Sequence, residues 1–336
     1  MRIIKRRLEI LLAAAVLLLA VVWGGIAVSA SPAYSVYIGG MPAGFTLNIG
    51  GAQVVGLCEV LTQNGSACPA RDAEISVGDV IVAFGGMEIS SASDIDEALA
   101  VTFGKEATLT VYRGGEKLEK NILPVKDRVG GKYRLGVLVR DSVSGIGTVT
   151  YIRSDNRRFG ALGHAVAMQD GSLMKVAQGD IFRCSIVDVV KGERGKAGEL
   201  KGLFMSGDRI AEADKNCSEG IFGNFSENFA MENLIKTEIS TDVVPGKASI
   251  FTTIDGVAPK EYSIGIVKVD AHNRQNKNFV IKITDPELLS NTGGIVQGMS
   301  GSPIVQNGKL IGAVTHVFLN DPTRGYGISI ANMIDR

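Results

Sequence analysis

The sequence predicts a mainly β protein of two folded units behind an N-terminal apolar helix, and three observations carry that prediction. First, short β-prone runs such as "SVYIGG", "AQVVGLCEVL", "DVIVAFGG", "ATLTVYRGG" and "IGTVTYI" alternate with glycine turns, the pattern of sheets rolled into barrels or sandwiches. Second, 336 residues exceed one ordinary domain and favour two. Third, the N-terminus sets a basic flank before a long apolar run.

That flank is Arg2, Lys5, Arg6 and Arg7, and the run extends from Ile10 to about Val28, just reaching the ~20 residues that span a bilayer. Positive flanks stay cytoplasmic, so everything beyond Ala30 is expected on the far side. Small residues at Val28 and Ala30 fit a signal-peptidase site, which leaves a cleaved peptide and a retained anchor both open. Residues 1–30 are therefore read as a signal peptide or transmembrane anchor, and the protein as membrane-anchored or secreted.

Lys plus Arg (35) equals Asp plus Glu (35), so no large field points to nucleic acid. Cys58, Cys68, Cys184 and Cys217 allow two disulfides in an exported chain, Cys58–Cys68 among the pairings, but none forms a C-x-x-C pair. No histidine stands at metal-ligand spacing, and no metal or cofactor is expected.

The first unit is placed at residues 35–126. Its best helix is "SASDIDEALAV", with Ser93 as cap and Ile95, Ala98 and Leu99 on one face; "SENFAMENLIK" (Ser226 to Lys236) is a weaker helix candidate in the second unit. "VGDVIVAFGGMEI" (Val77 to Ile89) supplies a turn, a strand and a tight Gly-Gly hairpin before that helix. This resembles a PDZ domain, an α+β unit in which a peptide terminus adds as a strand while a glycine loop holds its carboxylate. By position, the loop would be "PAGFTL", with Gly44, Phe45, Thr46 and Leu47 as peptide-binding residues.

The second unit, residues 127–336, suits a chymotrypsin-like double β-barrel at roughly 210 residues. Its "GMSGSP" segment joins a serine on a sharp turn to N–H groups that can face a developing oxyanion. Ser300 is the candidate nucleophile, with the N–H groups of Gly298 and Ser300 as the oxyanion hole and Ser302 as framework. Of the three histidines, His164 in "FGALGHAVAM" follows an apolar strand and is the candidate base. His272 lies in polar "DAHNRQNK" and reads as a loop tip. His316, on the strand after the nucleophile hairpin, is a specificity candidate. For the carboxylate that orients the base, Asp285 at the end of "NFVIKITD" leads, while Asp170, Asp242, Asp255 and Asp270 stay open on spacing alone.

Three phrases carry a closer likeness: "LGVLVRDSVSGIGTVTY" (Leu135 to Tyr151), "FGALGHAV" (Phe159 to Val166) and "TGGIVQGMSGSPIVQNGKLIGAVTHVFLNDPTRGYGI" (Thr292 to Ile328). Together with the order of membrane segment, PDZ domain and peptidase, they resemble the SpoIVB peptidase family of endospore-forming Firmicutes. The resemblance implies Ser300, His164 and Asp285 as the triad. The stretch from about Cys184 to Ala258 carries no alignable motif. It also implies a sporulation serine endopeptidase exported into the space between forespore and mother-cell membranes. There such enzymes cleave themselves and a regulatory membrane protein, releasing an intramembrane protease that activates the late mother-cell sigma factor. The competing readings are a non-catalytic PDZ scaffold at the membrane and a general quality-control protease, in which the PDZ unit usually follows the peptidase.

Overall fold

A computed structural model describes residues 34–167, 173 and 178–336. The strands are β1 (Ser35–Ile38) and β2 (Pro42–Leu57); β3 (Val60–Thr62), β4 (Gly65–Ala67), β5 (Val80–Phe84), β6 (Met87–Glu88), β7 (Ala107–Arg113), β8 (Glu116–Ile122), β9 (Val125–Lys126) and β10 (Tyr133–Arg134). There follow β11 (Val137–Arg153), β12 (Arg158–Ala161), β13 (Gln178–Val190), β14 (Glu199–Cys217), β15 (Gly220–Phe225) and β16 (Lys236–Glu238). The last group is β17 (Gly246–Thr252), β18 (Lys260–Val269), β19 (Phe279–Ile283), β20 (Pro303–Gln306), β21 (Lys309–Phe318) and β22 (Asp321–Ser329). The helices are α1 (Pro69–Asp72), α2 (Ala92–Thr102), α3 (Pro286–Thr292) and α4 (Ile330–Met333).

Successive antiparallel ladders close a first ring: β2 with β11, β11 with β12, β12 with β15, β15 with β14, β14 with β13, and β13 back to β2. Phe45, Leu47, Val149, Phe159, Ile181 and Ile221 fill it, as closure of a small barrel requires. A second closed barrel runs β17-β18-β19-β22-β21-β20 around Ile250, Ile264, Phe279, Ile281 and Ile304. The described part of the expected double barrel is thus mainly β, as the sequence predicts. Across the second barrel's outer end, the Tyr151 hydroxyl donates to the Met333 carbonyl at 2.9 Å, tying β11 to α4.

The PDZ unit is an insertion within the first barrel. β2 and β11 are long enough to serve both: Ala43 to Asn48 pair with Ser142 to Gly147 in the barrel, whereas Gln53 to Leu57 pair with Val137 to Arg140 in the inserted unit. There β2 hands over to β5, β7 and β8, and α2 covers a core of Ile81, Phe84, Ile95, Leu99 and Leu109. The "VGDV" turn has a specific anchor. Asp79, buried, accepts from the Ser76 N–H at 2.9 Å and from Arg113 Nε and Nη2 at 2.7 and 2.8 Å, the bidentate pairing that compensates a buried carboxylate.

Several expectations change. Gly44, Phe45, Thr46 and Leu47 are no carboxylate loop: they lie inside β2, laddered to β11 on one side and β13 on the other. Their backbone groups are used by the sheet, and Phe45 and Leu47 are buried in the barrel. Residues 35–50 accordingly belong with the first barrel. The cap of α2 is Ser91, two residues earlier than Ser93; the Asp94 carboxylate accepts from the N–H groups of Ser90 and Ser91 and from Ser91 Oγ, which also holds Asp94 below the usual carboxylate range. No helix forms over 226–236. Phe229, Met231 and Leu234 pack against the first barrel, with isolated turns at Phe229 N–H to Ser226 and Leu234 N–H to Met231; tertiary burial overrides a weak helical pattern. All four cysteines are unbridged. The expected membrane segment over residues 1–30 lies outside the described residues, and among those described no helix is long and apolar enough to cross a membrane.

Candidate active site between the barrels

Ser300 sits in the loop that enters β20 of the second barrel. Gly298 and Gly301 both adopt left-handed backbone, φ +94° and +95°, which a side chain would strain. At Gly301 a Cβ would also stand 2.1 Å from the Thr148 carbonyl oxygen. That close approach follows from a clamp across the barrel interface. On β11, the Thr148 N–H donates to the Ser300 carbonyl (3.1 Å) and Thr148 Oγ1 to the Gly298 carbonyl (2.8 Å). Thr150 Oγ1 donates to the Gly301 carbonyl (2.7 Å). The first barrel thereby fixes the turn that the second barrel carries.

Within the loop, Met299 N–H bonds Val296, Gly301 N–H bonds Val314 and Ser302 N–H bonds Met299. Among the described residues, the N–H groups of Gly298 and Ser300 meet no protein acceptor. Two free donors beside a serine are what an oxyanion site needs. Ser302 is fully buried with its hydroxyl on Thr252 Oγ1 at 3.0 Å, consistent with a framework residue.

His164 follows β12 after Leu162 and Gly163, both left-handed (φ +66° and +69°); a leucine there is strained backbone of the kind found at functional sites. Asn216 at the end of β14 pins the exit by accepting from the Val166 N–H (2.9 Å) and donating to the Val166 carbonyl (2.8 Å). His164 Nδ1 lies 2.9 Å from the Ala165 carbonyl oxygen. A carbonyl only accepts, so Nδ1 carries the proton and Nε2 is left bare, the form a general base requires. Burial pushes the imidazole below its ordinary range, and the Ala165 carbonyl partly offsets this. The His316 ring lies beside it, centroids 5.2 Å apart and tilted 42°. His316 too is pushed down, by burial first and then by His164 and Lys277.

Ser300, His164 and His316 line one cavity of about 460 Å³ between the barrels. Its walls are apolar: Phe45, Leu47, Val143 and Ile146 from the first barrel, Ile295, Val296, Val317 and Leu319 from the second. Among the described residues, no Asp, Glu, Lys or Arg lines it.

Asp285 is not brought to His164. It is the cap of α3: Oδ1 accepts from the N–H groups of Glu287 (3.0 Å) and Leu288 (3.1 Å), and Oδ2 faces the Ser263 N–H. Register separates it from the site. Val280 of β19 stands level with Tyr326, opposite the Thr315–His316 step of β21; Asp285 lies further along, roughly 15 Å at ~3.3 Å per residue. Asp242, Asp255 and Asp270 do not line the cavity either, and Asp170 lies outside the described residues. His272 is likewise absent from the cavity.

Sequence reading missed Thr148 and Thr150, because hydroxyls on a strand carry no motif of their own. It also misplaced the PDZ groove. A second cavity, about 530 Å³, is lined by Ile95 and Leu99 of α2, by Val137 and Val139 of β11, and by Leu135 and Gly136 just before that strand. The available signal was "RLGVLV", an apolar-Gly-apolar step entering a strand.

Two family matches agree with this architecture. Residues 51–123 match the PDZ domain family. A crystal structure of the PDZ domain of an SdrC-like protein from Listeria monocytogenes is similar at 16% identity, covering 27% of this chain and 87% of that one, with a TM-score of 0.22. Residues 131–334 match the family SpoIVB peptidase S55. With most of the chain within that match, and a serine and a histidine facing one another's cavity across two barrels, the chain belongs to the SpoIVB peptidase S55 family of serine peptidases.

Proposed function

We propose that the protein is an endopeptidase in which Ser300 is the nucleophile and His164 its base, acting on extended segments that present an apolar side chain. The observation that carries this reading is the joint position of Ser300, two free N–H donors and a base-ready His164 in one cavity whose described lining is uncharged. His164 Nε2 takes the proton as Ser300 Oγ bonds the scissile carbonyl carbon, and the N–H groups of Gly298 and Ser300 receive the oxyanion. The protonated imidazole then gives its proton to the leaving amine, the peptide C–N bond breaks, and water hydrolyses the acyl-enzyme by the reverse relay. The Ala165 carbonyl holds the ring through both steps, the part the family resemblance assigns to Asp285. Such a base supplies about 10² to 10⁴ in rate and each oxyanion donor about 10² to 10³.

In its cell the enzyme would act outside the cytoplasm, held at the membrane or released, cleaving itself and a regulatory membrane protein whose loss frees an intramembrane protease during sporulation. Family membership and the basic-then-apolar N-terminus support this setting. Mass spectrometry of new termini, comparing wild type with Ser300→Ala after incubation alone and with membrane-protein candidates, tests it. Identical termini from both would overturn the reading.

A further inference from the structure

The catalytic cavity and the PDZ groove are lined by opposite ends of one strand: Ser144 and Ile146 of β11 face the first, Val137 and Val139 the second. Among the described residues, no strand pairs with the edge of β11 away from β2 along this length. Val139 pairs with Val54, whose own N–H and C=O are taken by Asp79 and Gly78, so the backbone groups of Val139 turn outward toward α2. At the other end, Thr148 turns its N–H to Ser300 and its C=O to Leu162. Strand alternation makes Ile146 and Ser144 turn the same way, and the register shift between Arg140 and Ser142 brings the two phases into one edge. Among the described residues, the N–H groups of Val137, Val139, Ser144 and Ile146 meet no acceptor beyond the sheet.

Polarity gives this edge a use. A chain adding antiparallel to β11, the commoner pairing, begins beside Ser300 and ends at Leu135–Gly136, where Gly136 has φ +75°. Its C-terminal end therefore lies in the groove, where Ile95, Leu99, Leu135, Val137 and Val139 suit an apolar last residue and the rest of the lining includes Arg134, Glu59, Asp96 and Asp127. Free loop N–H groups at such a strand entry are where a terminal carboxylate is held in strand-addition complexes.

We propose that β11 acts as a ruler: the free C-terminus of the substrate docks at Leu135–Gly136, and cleavage falls roughly 10–12 residues upstream, the count of extended residues between that end and Thr148 at ~3.3 Å each. The proposal rests on Ser300 being the nucleophile. The two cavities then read a single polypeptide, and the PDZ unit sets where it is cut.

The test uses full-length protein in detergent and a peptide library: three randomised apolar positions, a Gly/Ser/Thr spacer of 4, 8, 12, 16 or 20 residues, and a terminal valine as free acid or amide. New termini are read by mass spectrometry, with Ser300→Ala alongside. The ruler expects a maximum near 12 residues, a fall of about tenfold at 4 and at 20, and a similar fall on amidation, as tethering raises effective concentration only when the span matches. Cleavage abolished by Ser300→Ala yet indifferent to spacing and amidation overturns the ruler alone. Cleavage that survives Ser300→Ala overturns the nucleophile and the ruler together.

Discussion

The Ser300 hydroxyl donates to the Thr315 carbonyl oxygen at 2.7 Å. Its one proton is thus directed to the second barrel and not to His164, so attack requires the hydroxyl to turn away from that carbonyl.

Ser300→Ala is expected to abolish peptide cleavage while leaving the melting temperature close to wild type, since the lost bond is to a carbonyl at the cavity wall. Ser302→Ala should show the opposite split. It removes a buried partner of Thr252 Oγ1, costing about 1–3 kcal/mol of stability, with activity retained below the melting point. Thermal melts run beside a turnover assay check both.

Asp285→Ala is expected to lose about 0.5–2 kcal/mol through the cap of α3. Asp285→Ser restores a capping oxygen without a carboxylate, so it should recover the stability and keep kcat within a few-fold of wild type. A kcat loss near 10⁴ in Asp285→Ser at unchanged stability would assign that carboxylate an orienting role after all.

Because His164 must be neutral to accept a proton and burial depresses its pKa, kcat/KM should hold below the ordinary imidazole value of about 6.5 and fall only at more acid pH. The same shift has a stability sign. Between the unfolded and folded values the unfolded chain binds more protons, so stability is full above about pH 6.5 and declines as pH falls toward the folded value. His316 adds in the same direction. Melting temperatures of wild type and His164→Gln measured across that window should converge as the pH is lowered.

Thr148→Val keeps the strand and its N–H bond to Ser300 but removes the donor to the Gly298 carbonyl. About 1 kcal/mol of restraint on the oxyanion loop is lost, so kcat should drop about fivefold with KM little changed. An unchanged kcat would show that the Thr150 bond to Gly301 suffices.

Much of the site was legible in the chain because chemistry at a sharp turn demands particular residues. Gly298 and Gly301 are glycines since their backbone is left-handed, and three histidines leave few choices for a base. The PDZ turn was legible for a like reason, through the turn of "VGDV" and the glycine hairpin after β5. Pro42 to Leu47 was misread because an apolar, glycine-bearing run looks alike as a loop and as a strand buried on both sides; only the ladders to β11 and β13 separate the two.

What the sequence by itself determined is the nucleophile turn, the mainly β class and the presence of two kinds of unit, each written in local backbone requirements and periodicity. What only the tertiary structure decided is where these meet. Asp285 caps a helix because register carries it away from His164, and the PDZ unit interrupts a barrel because β2 and β11 pair across both. Strand pairing joins residues far apart in the chain, and no local pattern encodes its register.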